Sequence, residues 1–363
     1  ATFDGHRSND FDTWIYVSTD YGQSWRSLNG NLKEQVARTL LEDLKNPDVL
    51  YLGTETGIFV TLDRGSSWMR MKGNMPTVRV DEMVIHPRDN ALVVATHGRA
   101  FWVLDNLAPV QEMAAAQKSM TDATLFSPAP TAMYRRPARD RNYEFWGDQA
   151  FFGENPPQAA VIAWHLKKDV GSVALRITDA TGSEVREISG DVLRNSNKAG
   201  LQAACWDLRV QPVPAPDLGQ QGRGNQGGRQ GGPQAQQAEE EQPEPVRFGA
   251  GCTAGGGGGF GGGGGGGANP GPFVLPGTYT VALVVDGKTV GTRPLRVSGD
   301  PEVVLTQAER KRLYDMAMDL HGLQRQAAPP DRRAARQRAH GPGGNRRGRH
   351  AFAHQHQAGP GVV

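Results

Sequence analysis

One eight-residue pattern occurs twice in this chain, 43 positions apart. Ser18-Thr-Asp20-Tyr-Gly22-Gln-Ser24-Trp25 and Thr61-Leu-Asp63-Arg-Gly65-Ser-Ser67-Trp68 both read S/T-x-D-x-G-x-S-W. A repeat of roughly 40–45 residues built from short strands is the period of a β-propeller blade. Each copy also reads as a hairpin. An apolar run (Trp14-Ile-Tyr16-Val, then Gly57-Ile-Phe59-Val) enters a D-x-G turn and leaves through a Trp. The Asp carboxylate can accept bonds from backbone N–H groups of its own turn, and the Gly suits a positive φ. The Trp is large enough to wedge between neighbouring sheets.

A third unit follows at an offset of 42. It aligns Thr54 with Thr96, Phe59 with Phe101 and Asp63 with Asp105, but the Gly and Trp of the pattern are then missing. Leu107-Ala-Pro109 and a short helix near Val110–Met120 replace them, so residues 1–107 are expected to be propeller. Two and a fraction blades do not close a ring, since closure is what protects the sheet edges. The expectation is therefore the C-terminal end of a longer protein, with earlier blades outside these residues.

Composition matters only segment by segment. Net charge is +2 over 363 residues, which favours no class of partner. No apolar run is long enough for a membrane span. Cys205 and Cys252 form neither a disulfide framework nor a zinc spacing; a bridge between them is open. Residues 108–157 read as a connector with a strand near Thr124–Phe126. Its aromatics Phe145, Trp146, Phe151 and Phe152 are expected to dock the two halves, a ligand-stacking surface being the alternative.

Period-two alternation then dominates 158–300 and predicts a β-sandwich. Its strands are Ala160–Trp164, Val173–Thr178, Val185–Ile188, Leu201–Arg209, Pro276–Val285 and Thr289–Val297, with Asp286-Gly287 as a hairpin turn. Residues 212–272 interrupt it with Gln/Gly-rich, acidic and then nearly pure glycine text, expected to be disordered. A helix is expected in 301–325, capped by Thr306 and Glu309, with Leu313, Met316 and Leu320 as its packing face. The Arg/Ala/Pro/Gly/His text of 326–363 reads as a disordered tail or a frameshifted reading of GC-rich DNA.

The S/T-x-D-x-G-x-S-W pattern is identified as the Asp-box, or BNR repeat. It resembles sialidases, two-propeller xyloglucanases and the sortilin-type propeller. That resemblance implies structural hairpins on the propeller rim. Ser18, Asp20, Gly22 and Trp25, with Thr61, Asp63, Gly65 and Trp68, are then scaffold rather than catalyst. The phrases A-T-F-D-G-H-R-S, G-T-E-T-G-I-F-V, V-I-H-P-R-D-N and T-H-G-R-A-F-W-V-L-D are similar to large secreted bacterial proteins with sortilin-like (VPS10-type) BNR propellers, often labelled glycosyl hydrolases. The strands after 158 look like an immunoglobulin- or fibronectin-like module, on I-T-D-A-T-G-S-E-V, C-W-D-L-R and L-P-G-T-Y-T-V.

No G-x-S-x-G, H-E-x-x-H or P-loop occurs. The local candidates for ligand binding are His97 and Arg99, with Glu55 at the equivalent place one blade earlier; the alternative is that His97 and Arg99 brace blades. No catalytic residue, metal or cofactor is assigned. The sequence thus reads as an all-β chain: partial propeller, sandwich, short C-terminal helix and tail. Its expected role is a secreted or periplasmic binding or scaffold protein for a polypeptide or glycan, partnered by the earlier blades. The alternative is a glycoside hydrolase whose active site lies mostly in those blades. Nucleic-acid binding through the arginine-rich tail is the remote third reading.

Overall fold

The computed structural model describes residues 1–134, 157–213 and 270–327. The aromatic stretch, the glycine-rich insert with Cys252, and the tail lie outside these residues.

Strands β1 (Thr2–Phe3), β2 (Trp14–Val17) and β3 (Arg26–Ser27) form one antiparallel sheet. Strands β4 (Ala37–Glu42), β5 (Leu50–Thr54), β6 (Ile58–Thr61) and β7 (Met69–Arg70) form the second, in sequence order. Strands β8 (Val80–His86), β9 (Ala91–Thr96) and β10 (Phe101–Leu104) form the third. These sheets are three consecutive blades of a partial propeller. One core lies between the first and second blades, around Ile15, Leu28, Leu50, Leu52 and Trp68. Another lies between the second and third, around Tyr51, Ile58, Val80, Leu92 and Leu107. Among the described residues the third blade has no fourth strand, so β10 is an edge, with Phe101 and Val103 exposed.

The two repeated turns have one hydrogen-bond pattern. Asp20 Oδ1 accepts from the Ser24 backbone N–H at 2.9 Å and from the Ser18 hydroxyl at 2.8 Å, and Oδ2 accepts from the Ser24 hydroxyl at 2.6 Å. Asp63 repeats this with Ser67 at 2.8 and 2.6 Å and Thr61 at 2.7 Å. Gly22 and Gly65 take φ of 87° and 85°, each after a residue also at positive φ, so the turn needs glycine there.

These bonds set an acid limit. Donation from Ser24 and Ser18 holds the Asp20 carboxyl down at about 2. Burial pushes Asp63 up, but its bonds from Ser67 and Thr61 outweigh burial and leave it below the ordinary range. Both folded values lie under the unfolded value of about 3.9. Their stabilisation is therefore complete above that value and lost as pH falls through the folded values. Thermal melts between pH 6 and 2 should show the propeller transition dropping below about pH 4. Asp63→Asn should flatten that limb; an unchanged slope would remove the turn carboxylates as its cause.

The tryptophans that leave the turns differ. Trp68 is 3% exposed and lies on the loop leaving the first blade. Its indole N–H donates to Leu28 O at 2.8 Å, and Asn31 bonds both its N–H and its C=O, at 2.7 and 3.0 Å. Trp25 does not wedge between sheets as expected. It is 54% exposed and its indole donates to Gly22 O of its own turn. The reason is positional: each Trp is seated by the loop of the preceding blade, and no blade precedes the first among the described residues.

Helix α1 (Ala108–Lys118) takes the place of a third Asp-box. Pro109 fits its first turn, where a missing N–H costs nothing. Leu107 and Val110 pack in the second interblade core with Met71 and Met75, the counterparts of Leu28 and Leu32. Further along the helix, Ala116 and Met113 pack on Phe126 and Ala163 of the sandwich. Among the described residues α1 is thus what joins the two halves.

The sandwich begins within the expected connector. Strand β11 (Ala123–Leu125) pairs with β13 (Ala160–Leu166), and β13 pairs with β16 (Gly200–Trp206). The facing sheet runs β12-β18-β17-β14-β15, with β12 (Thr131–Met133), β14 (Val173–Thr178), β15 (Glu184–Ile188), β17 (Gly277–Val285) and β18 (Lys288–Gly299). Strand β12 runs parallel to β18. Trp164 and Trp206 are fully buried between the sheets, and Trp206 meets Tyr279 edge to face at 5.3 Å. Cys205 is disulfide-bonded.

Helix α2 (Gln307–Ala327) carries the expected capping box: Thr306 N–H donates to Glu309 Oε2 at 2.8 Å. The face it buries is not the expected one. Tyr314, Met318 and His321 seat it on the sandwich, and His321 Nε2 donates to Gln211 O at 2.9 Å. Leu313, Met316 and Leu320 are exposed. The buried side needs a polar end to answer a backbone carbonyl, which His321 supplies and a leucine cannot.

Candidate functional site

Strand direction places the loops. The second Asp-box turn follows β6, so the β5–β6 loop at Glu55 lies at the opposite end of that blade. The β9–β10 loop, with His97, Gly98, Arg99 and Ala100, lies at the same end of the third blade. In the first blade the β1–β2 connection does so. Thr2 pairs with Ile15 as Gly53 pairs with Ile58, and Ile15 and Ile58 are 43 residues apart. Asp4 therefore stands where Glu55 stands, and His97 stands there in the third blade. Glu55 N–H and His97 N–H donate to the equivalent carbonyls of Val36 and Arg79, at 3.2 and 2.9 Å.

Arginines pair with these positions to make a charged ridge: Arg38 joins the first two, and Arg79 sits with the third. Arg38, at the start of β4, donates to Asp4 Oδ2 and, through both Nε (2.6 Å) and Nη2, to Glu55 Oε1. One guanidinium thus links the first blade to the second. His6 Nδ1 lies 2.6 Å from Asp4 Oδ1. On the third blade Arg79 Nε pairs with Asp81 Oδ1 at 2.7 Å, and Arg79 Nη2 lies 2.8 Å from His97 Nδ1.

Electrostatics run along the ridge. Burial pushes the Asp4 carboxyl up, but hydrogen bonds from His6 and the Arg38 charge hold it below the usual range. Asp81 is held low chiefly by its bond from Arg79. Arg79 is raised by that same bond, with Glu55 and Asp4 of the other blades adding to the effect.

Of the residues singled out in the sequence, Glu55 lies in the interblade pair with Arg38, and His97 lies in the third-blade cluster. The two are not hydrogen-bonded to each other. Arg99 is exposed, and its carbonyl accepts the Trp102 indole N–H at 2.9 Å. Among the described residues its guanidinium makes no ion pair. Asp4, His6 and Asp81 were not singled out. The alignment of Trp14–Val17 with Gly57–Val60, extended backwards, sets Asp12 and not Asp4 against Glu55, because the β1–β2 connection is longer than the β5–β6 loop; only the strand pairing makes Asp4 the equivalent. Among the described residues no three His, Cys, Asp or Glu side chains are placed to hold a metal ion.

A ridge of paired charges across adjacent blades can bind by exchange. A ligand carboxylate competes for Arg38, Arg79 or Arg99, and a ligand cation competes for Glu55 or Asp81. Residues 13–124 match the family model described as Sortilin, neurotensin receptor 3. This stretch is thus similar to the sortilin/Vps10 propeller family, and it spans all but the first strand of the three blades, together with α1. No curated protein and no solved structure matches the chain. The sortilin-like match includes Arg38, Glu55, Arg79, Asp81, His97 and Arg99; Asp4 and His6 lie just before it.

Proposed function

We propose that this chain is a secreted or periplasmic propeller-based binding protein whose ligand is a polypeptide, held along the charged ridge. The observation that carries the reading is the Arg38 guanidinium bonded at once to Asp4 and Glu55 of neighbouring blades. Such a row offers both signs of charge at short intervals, which suits the alternating charges and termini of a peptide better than a neutral sugar. The matching family description names a receptor, which agrees with a binding role. Among the described residues no helix is long and apolar enough to cross a membrane.

Glycoside hydrolysis is the weaker reading. It needs a carboxyl that keeps its proton near neutral pH opposite a second carboxylate. Asp4 is held ionised, and Glu55 shares its arginine.

The test is binding of the whole chain to peptide and glycan arrays, repeated with Glu55→Gln and with His97→Ala/Arg99→Ala. A peptide hit should weaken about 10- to 100-fold in the variants, the loss expected for one or two charge-assisted bonds, and should weaken with salt. Selective glycan binding, sugar release, or a peptide hit indifferent to both variants would overturn the proposal.

A further inference from the structure

Helix α2 is amphipathic on the side it does not bury. Leu313, Met316, Leu320 and Leu323 are 58, 63, 58 and 61% exposed. Their spacing is three, four and three residues, continued by Ala327 four further on. That is the a/d spacing of a helix–helix seam rather than the wider stripe of a helix lying on a sheet. The seat on the sandwich is already taken by the other side, through Tyr314, Met318 and His321. The segment entering the helix adds Val304 and Leu305, 95 and 37% exposed.

We propose that this seam is a homotypic interface: α2 of a second copy packs against it to form a two-fold dimer. The occupant follows from the spacing and the area. A 3-4-3-4 apolar row is complementary to another such row, because each side chain fits between four of the facing helix. Six exposed apolar side chains at on the order of 100 Å² each give roughly 600 Å² per copy. Burial of all six in both copies would remove about 1,200 Å² from water, which reaches the lower bound of a specific stable interface. A free helix with so short a seam would be marginal. Here it is already formed, capped by Thr306 and Glu309 and anchored by His321, so association does not have to order it. The interface is remote in sequence from the charged ridge and stands or falls independently of what the ridge binds.

Sedimentation of the full chain between about 1 and 100 µM tests it, against Leu313→Lys/Leu320→Lys. Lysine keeps helix propensity, so the variant should retain the wild-type circular dichroism, and its melting temperature should match the wild type's at concentrations where both are monomeric. The wild type should sediment as a dimer, and the variant as a monomer, with dissociation shifted by at least about 100-fold. Met316→Cys should also cross-link copies under mild oxidation. A monomeric wild type at 100 µM overturns the proposal, as does a variant that dimerises unchanged.

Discussion

Trp68→Ala is expected to remove about 3–5 kcal/mol from the propeller transition in urea, the usual range for a fully buried large aromatic. Trp25→Ala, the same change in the same pattern, should cost under about 1 kcal/mol, as surface substitutions do. The contrast isolates the interblade seat from the turn itself. Both tryptophans close the same hydrogen-bonded turn, but only Trp68 fills the core with Ile15, Leu28, Leu32, Leu50 and Leu52. Only Trp68 also satisfies Leu28 O and Asn31 of the neighbouring blade. Equal losses in the two variants would mean that the Trp acts within its own hairpin and that the loop from Leu28 to Asn31 is not its seat.

Asp43→Ala should be nearly as damaging, at about 3–4 kcal/mol, for a different reason: buried partners are left unpaired. Asp43 is 4% exposed in the β4–β5 turn. It accepts from the Tyr51 hydroxyl at 3.0 Å and from Gln111 Nε2 at 3.0 and 2.9 Å, as well as from two backbone N–H groups of its turn. Gln111 belongs to α1 and also bonds Asn90 of the β8–β9 turn at 2.9 and 3.0 Å. One carboxylate therefore ties the second blade to the third and to the helix that leads to the sandwich. Burial, followed by the charge of Asp43, pushes the Tyr51 hydroxyl far up, so it remains a donor at any working pH. Asp43→Asn keeps an acceptor and should lose less than half as much. A loss under about 1 kcal/mol for Asp43→Ala would show that the α1 contact is dispensable to the propeller.

The repeated turns were legible because their bonds are local. Every contact of Asp20 and Asp63 lies within four residues, so the pattern itself encodes the geometry. The third blade was legible by offset, and the sandwich strands by alternation. The ridge was legible only in part. Glu55 and His97 followed from the offset, but Asp4 is reached through the pairing of β1 with β2, and β1 has two residues, too few to show a period. Arg38 could be seen as an arginine, not as the link between blades, since its partners lie 34 and 17 residues away in opposite directions. Helix α2 was found by its cap and its stripe. Its orientation was not, because periodicity shows that two faces differ and leaves open which is covered.

The lock between blades has a direction. The loop after one turn holds the tryptophan of the next, and Leu28-Asn-Gly-Asn31 recurs as Met71-Lys-Gly-Asn74. The array therefore behaves as a ratchet with identical teeth. Removing one whole period, from just after Leu28 through Met71, presents an equivalent loop to the helix that ends the series. A difference of one residue is absorbed in a turn, as between the second and third blades, where the β8–β9 turn is one residue shorter than the β4–β5 turn. What must recur is the seat and not an exact length: a unit gained or lost whole brings its own loop with it, and among the described residues α1, with Pro109 in its first turn, takes the last seat.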